Sequence, residues 1–287
     1  MENGEVDVFI ELDYEGASPL LKHMDSYSTL FEEGTFHFYI PDTAVYSISN
    51  GKRITVHPFK NADESKIRLY LLGTCMGVLL VQRGMLPLHG SAVVIRDRAY
   101  AIVGESGAGK STLAATFAQS GYEIVTDDVI AVRFTEGVDS VPLVYPSYPQ
   151  QKLWNESLEY LGLAASGYES IYDRVDKYAV PLSTGFYRKP LPLGGVFELI
   201  KSEEGTATAI KPFTQMESLH KLRMHTYRNY LLYSMKLHQW HFQTAAALAS
   251  RLPVYQLSRP PQGFSGYELV DCMLRVIHSK EAVPHEQ

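Results

Sequence analysis

Alternating and β-branched apolar positions dominate the first part of the chain. Residues 6–12, 36–40, 45–48 and 53–58 carry this pattern, separated by Gly, Asn, Asp and Pro, and predict a small β-rich region over 1–60. Ile67, Leu71, Cys75, Val78 and Val81 then recur near helical spacing, which predicts one helix over 63–83 that stops at Gly84. Residues 91–95 and 98–103 read as strands joined by Arg96-Asp97, and so short a turn predicts an antiparallel pair. Leu113, Ala114, Phe117 and Ala118 give one apolar face to a helix over 110–120, with Gly121 placed to cap it. Beyond Phe134 the pattern fades: 145–151 is rich in Pro, Tyr and Gln, and 165–192 has few periodicities. A strand over 195–200, a helical region over 216–250, a strand over 254–257 and a closing helix over 267–279 complete an α/β class, with domains 1–60 and 61–287.

Composition narrows the class. The chain has 287 residues, 45% hydrophobic and 20% charged, enough for a sizeable core without disulfides. A net charge of −6 argues against wholesale binding of nucleic acid or of an anionic membrane. The two cysteines, Cys75 and Cys272, sit in apolar stretches at no metal-ligand spacing and read as buried free thiols. The opening Met-Glu-Asn-Gly-Glu has no apolar h-region, and the apolar run 69–81 is too short for a bilayer, so the expectation is a cytoplasmic protein.

The strongest chemical signal is Gly104-Glu105-Ser106-Gly107-Ala108-Gly109-Lys110-Ser111, followed by Thr112, which fits G-x-x-x-x-G-K-[ST] at every position. Glycines let successive backbone N–H groups turn toward phosphate oxygens, and a helix starting at Lys110 adds its positive end. Lys110 is expected to reach the β- and γ-phosphates of ATP, and Ser111 to offer its hydroxyl to Mg²⁺. An apolar strand before the loop and an amphipathic helix after it supply the context that a chance match lacks.

Asp127-Asp128 ends the short strand-like stretch 123–126. Adjacent carboxylates repel, so the pair belongs near a cation, such as a divalent metal beside the phosphate loop. Metal coordination suits one carboxylate, and the other could take a proton from an attacking hydroxyl. His89 precedes the strand that hairpins back along the loop strand, which brings it toward the phosphate end.

Three segments thus stand in order: Leu88-His89-Gly90-Ser91-Ala92-Val93, Gly104 to Thr112, and Val125-Thr126-Asp127-Asp128-Val129. This set resembles the HPr kinase/phosphorylase family, and more distantly the PEP carboxykinases. The resemblance covers about 86–134. It departs from bacterial HPr kinases in ending the loop Lys-Ser-Thr, in lacking an Arg-Gly-x-Gly segment after the acidic pair, and in its β-rich start. Gln151-Lys152-Leu153-Trp154 and Arg174-Val175-Asp176-Lys177-Tyr178 stand in place of that segment. These features look closer to the HPr-kinase-like proteins of lasso peptide biosynthesis, which phosphorylate a serine at the C-terminus of the precursor peptide.

The resemblance implies an HPr-kinase-like P-loop domain with a mixed sheet and a serine kinase using ATP and Mg²⁺. Gly104, Ser106, Gly107, Ala108, Gly109, Lys110, Ser111 and Thr112 would hold the triphosphate. Asp127 is preferred as base and Asp128, with Ser111, as metal ligand, the order of the two carboxylates being open. His89 would orient the base or touch metal or γ-phosphate. Lys177 and Arg174 are candidates for a phosphate or a peptide carboxylate, within a substrate wall over 145–189. The implied partner is a lasso precursor peptide, and HPr kinases assemble, so a homo-oligomer is in prospect. An HPr kinase, a kinase for free serine or another small hydroxyl compound, and a nucleotide-binding switch without transfer stay open. No H-R-D or D-F-G segment points to the protein-kinase fold.

Overall fold

The computed structural model describes residues 7–15, 24–171, 174–203 and 207–281, apart from the side chains at 174, 175, 280 and 281. Val6, of the first expected strand, and the side chain of Arg174 lie outside the described residues. The chain forms two compact units: Met1–Pro87 with Ile171–Val175 and Tyr227–Gln243, and Leu88–Ser170 with Asp176–Thr226 and Thr244–Gln287.

The first unit holds a five-stranded sheet of β1 (Phe9–Leu12), β2 (Thr29–Glu32), β3 (Thr35–Ile40), β4 (Ala44–Ser49) and β5 (Arg53–Pro58), in the order β1-β5-β4-β3-β2. Alternation along β3 turns Phe36, Phe38 and Ile40 inward. Onto that face pack Cys75, Val78, Leu79 and Val81. They belong to α1 (Glu64–Tyr70), a π-helical turn (Leu71–Cys75) and α2 (Met76–Gln82), so the helix expected over 63–83 carries one extra-wide turn. The sequence pattern grouped this helix with 61–287, yet its apolar face is buried on the β-rich sheet. Leu231 and Leu232 of the short α6 (Leu231–Ser234) join the same core.

The second unit is built on an eight-stranded sheet: β6 (Leu86–Ile95), β7 (Arg98–Val103), β8 (Ile124–Thr126), β9 (Val129–Phe134), β10 (Pro142–Tyr145), β14 (Leu191–Lys201), β15 (Ala209–Pro212) and β16 (Val254–Arg259). Its order is β10-β9-β6-β7-β14-β16-β15, with β8 also paired to β6. β6 and β7 are antiparallel, as expected, and Arg96 and Asp97 both take positive φ (49° and 59°), the twist a two-residue hairpin turn needs. On its other side β7 runs parallel to β14, which runs parallel to β16. The sheet is therefore mixed. Phe197, Leu199, Tyr255 and Leu257 form one face of it, packed against α3 (Lys110–Gln119) and α8 (Gly266–Glu281) through Leu113, Phe117, Leu269 and Met273.

Two expectations are corrected. The stretch read as loop beyond Phe134 contains β10, β11 (Gln150–Trp154), the short α4 (Asn155–Tyr160), β12 (Glu169–Ile171) and β13 (Arg174–Pro181). Alternation in β11 is real but buries Gln151 together with Leu153, so a hydrophobic count misses it. The helical region over 216–250 is three helices: α5 (Gln215–Met224), α6, and α7 (His238–Arg251). Arg228 and Lys236 break it with positive φ of 48° and 58°. Cys75 and Cys272 are buried free thiols, and among the described residues no helix is long and apolar enough to cross a membrane.

Candidate functional site

Every residue of the site lies in the second unit. β7 runs straight into Gly104, where φ is +150° and an added Cβ would sit 2.5 Å from the Leu199 carbonyl oxygen of β14. Only glycine fits between the two strands there. The loop closes at Gly109, φ 107°, and α3 begins at Lys110, so the first-turn amides lack helical partners and face outward as anion donors. Lys110 Nζ donates to the carbonyls of Gly104 and Glu105, both at 2.9 Å. Burial pushes this ammonium down to about 8, against the pull of Asp128 and Asp127. Ser106 stands exposed at the tip, and Thr112 Oγ1 lies 2.7 Å from Ser157 Oγ.

The hairpin sets Gly90 opposite Val103 and Ser91 opposite Ile102, beside the start of the loop. A Cβ on Gly90 would come within 2.2 Å of the Ile102 carbonyl oxygen, which accounts for glycine after His89. Asp127-Asp128 is the link between β8 and β9, and Asp128 takes φ 74°. A non-glycine residue held there costs roughly 1 kcal/mol or more, a strain found at functional positions. Asp127 is 5% exposed. Its Oδ1 accepts from Ser91 Oγ at 2.5 Å and its Oδ2 from the Lys152 amide at 2.8 Å, and the nearby Ser111 side chain also favours its ionised form. Burial raises its pKa; these hydrogen bonds oppose the rise.

Asp128 is different. Burial pushes it upward, yet Lys152 and Lys177 hold it below the usual carboxylate range. Lys152 Nζ donates to Oδ2 at 2.5 Å, and His89 Nδ1 lies 3.9 Å from Oδ1. His89 Nδ1–H donates to the Asp128 backbone carbonyl at 3.0 Å. Burial, then Lys110, lowers the His89 pKa, which favours the neutral ring with its lone pair on Nε2.

The residues singled out from the sequence thus meet: the loop, Ser111, Asp127, Asp128 and His89 form one cluster. Lys177 joins it electrostatically, acting on His89, Lys110 and Asp128 alike, while its ammonium lies 5.4 Å from the centre of the Trp154 ring. β11 pairs antiparallel with β13, setting Trp154 opposite Lys177. Lys152 was not anticipated. Its only signal was its place in Gln151-Lys152-Leu153-Trp154, and its role depends on β11 passing beside the acidic pair.

Glu198 was also missed. It lies on β14 opposite Val103, 2% exposed, under the strand that enters the loop. Its Oε1 accepts from Lys221 Nζ at 2.9 Å and lies 2.7 Å from His225 Nε2. The His225 carbonyl accepts the His89 amide at 2.8 Å. Burial alone would raise the Glu198 pKa, but His225 and Lys221 keep it lowered. Removing one partner of a buried pair strands the others, so Glu198→Ala is expected to cost about 3 kcal/mol of stability. Urea unfolding checks this, and a loss under about 0.5 kcal/mol, the range of ordinary surface changes, would contradict it.

Among the described residues no group of three or more His, Cys, Asp or Glu side chains is arranged to hold a metal alone. Mg²⁺ does not require one, being commonly held by one or two carboxylates plus phosphate oxygens. The hard oxygens of Ser111 and Asp127 fit that requirement. No family model matches the chain, and no curated protein matches it in sequence. Among solved structures, the HPr(Ser) kinase/phosphatase from Coxiella burnetii is 13% identical over 70% of this chain and 99% of that chain, at a TM-score of 0.38, a likeness too loose to decide fold or chemistry.

Proposed function

We propose that the protein is an ATP-dependent kinase that phosphorylates a serine hydroxyl of a peptide, of the kind presented at the C-terminus of a lasso precursor. The observation that carries this reading is the hydrogen bond of Asp127 to Ser91 of the hairpin, close enough to Ser111 of the phosphate loop for that side chain to favour its ionised form, so that three separate sequence segments share one site. A nucleotide switch needs the loop and one metal-side carboxylate. It has no use for a second carboxylate backed by a histidine.

The contacts favour the opposite order of carboxylates to the one preferred from the sequence. Asp127, enclosed and near Ser111, suits the metal side, where Mg²⁺ would neutralise phosphate charge. Asp128, with Oδ1 near His89, suits the acceptor hydroxyl. The hydroxyl oxygen bonds to the γ-phosphorus, the bond to the β-bridging oxygen breaks, and the hydroxyl proton passes to Asp128. A low Asp128 pKa is compatible with this, since a loose phosphoryl transition state asks little basicity of the acceptor's base. Lys110 and the α3 amides take up charge on the phosphates.

Lys152 and Lys177 make the acceptor side cationic. That charge suits a hydroxyl compound carrying its own carboxylate, as a C-terminal serine does. The test offers three acceptors with ATP and Mg²⁺: a precursor-like peptide ending in serine, free L-serine, and HPr. Mass spectrometry is expected to find one added phosphate on the peptide, and less on the same peptide amidated at its C-terminus. Phosphate only on free serine or only on HPr would refute the peptide assignment.

A further inference from the structure

The loop accounts for the phosphate end of the nucleotide; the nucleoside end needs a surface of its own. In the sheet order the acidic pair, Ser91 and His89 stand on the β6 side of β7, and β16 stands on the other side, beyond β14. A triphosphate whose γ-phosphate faces Asp128 therefore leads its nucleoside toward the β16 side of the loop. What stands there is a set of side chains on two separate segments, α4 and the β16–α8 connection.

Arg259, at the end of β16, reaches back to the loop: its Nε donates to the Ala108 carbonyl at 2.8 Å and its Nη1 to the Pro260 carbonyl at 2.9 Å. The charge of Glu156, on α4, acts on this guanidinium. Ser157 of α4 touches Thr112 in the first turn of α3. Tyr160, three residues on, stacks against Phe264 with ring centroids 5.2 Å apart and planes 18° from parallel. Phe264 in turn lies over Gly266, where an added Cβ would be 2.4 Å from its Cζ and 2.6 Å from Thr116 Oγ1. The aromatic pair is thus anchored along α3, one turn from Thr112. Tyr160 is nevertheless 44% exposed.

We propose that Tyr160, backed by Phe264 and flanked by Arg259, is the stacking platform for the purine base of the bound nucleoside triphosphate. The proposal rests on the kinase reading only in placing phosphates on the loop. A ring held by stacking and still partly exposed presents a flat, electron-rich surface to a heterocycle, and Arg259 can stack or donate at its edge. Stacking recognises the base without reading its identity, so the subsite is expected to favour purine nucleotides over bare phosphates more than one purine over another.

The experiment compares binding of ATP and of inorganic tripolyphosphate, each with Mg²⁺, by titration calorimetry. Wild-type protein is expected to prefer ATP by roughly ten- to a hundredfold, the span of base–aromatic stacking. Tyr160→Ala should remove most of that preference and leave tripolyphosphate affinity unchanged. Phe264→Leu, which keeps the apolar contact with α3, should reduce it in part, and circular dichroism confirms that both variants fold. A Tyr160→Ala protein that prefers ATP as strongly as wild type would overturn the proposal while leaving the loop assignment intact. Tripolyphosphate binding that is equal in wild type and Lys110→Ala would instead overturn the loop assignment, and this inference with it.

Discussion

Asp128→Asn is expected to bind ATP and Mg²⁺ nearly as wild type does and to transfer phosphate about 10²–10⁴ times more slowly, the range for loss of a positioned proton acceptor. The expectation follows from how differently the two carboxylates are held. Asp127 has both oxygens occupied, by Ser91 and the Lys152 amide, and is almost wholly enclosed. Asp128 is held ionised by Lys152, with its Oδ1 toward His89. The amide of asparagine preserves shape and the backbone contacts of residue 128 but cannot take a proton. Asp127→Asn is expected to act elsewhere, weakening the dependence on Mg²⁺ and lowering stability, because its amide must replace an acceptor in a buried network. Single-turnover transfer beside equilibrium nucleotide binding separates the two. If Asp128→Asn transfers normally and Asp127→Asn binds normally but is slow, the order preferred from the sequence is the right one.

Lys110→Ala is expected to lower transfer by roughly 10²–10³ at saturating ATP and Mg²⁺, the effect of removing a donor aimed at developing charge. The ammonium is held over the loop by the Gly104 and Glu105 carbonyls, so it is preorganised and does not have to be gathered from solvent. Alanine also removes a buried charge, so the variant is expected to fold, and a melting curve verifies it. Near-normal turnover in a folded Lys110→Ala protein would contradict the role given to the loop.

What is legible in the sequence is what local spacing encodes. The loop glycines, Lys110 and Ser111 fall at fixed offsets on one turn, and Arg96-Asp97 leaves room only for a hairpin, so the spacing alone places His89 and Ser91 beside the loop. Lys152 and Glu198 cannot be placed that way. Lys152 reaches the site from a strand of a separate sheet, Glu198 through pairing with β7, and neither sits at a spacing that marks chemistry. β11 is hidden because a buried glutamine occupies a core-facing position. The break between α5 and α7 is hidden because apolar residues continue through it, serving the core of the other unit. The order of the two aspartates is beyond reach for a further reason: adjacent residues share one sequence context, and the positive φ of Asp128 is what separates their surroundings.

The proposed kinase reaction is phosphoryl transfer from a nucleotide held on the Gly104–Ser111 loop to an acceptor hydroxyl. The most direct measurement follows the γ-phosphoryl group of labelled ATP in the presence of Mg²⁺ and a peptide ending in serine, with Lys110→Ala run in parallel. The expected result is label in an acid-stable phosphate ester on the peptide, with ADP formed in equal amount and both greatly reduced in the variant. Label appearing only as inorganic phosphate, or ester formed equally well by Lys110→Ala, would contradict it.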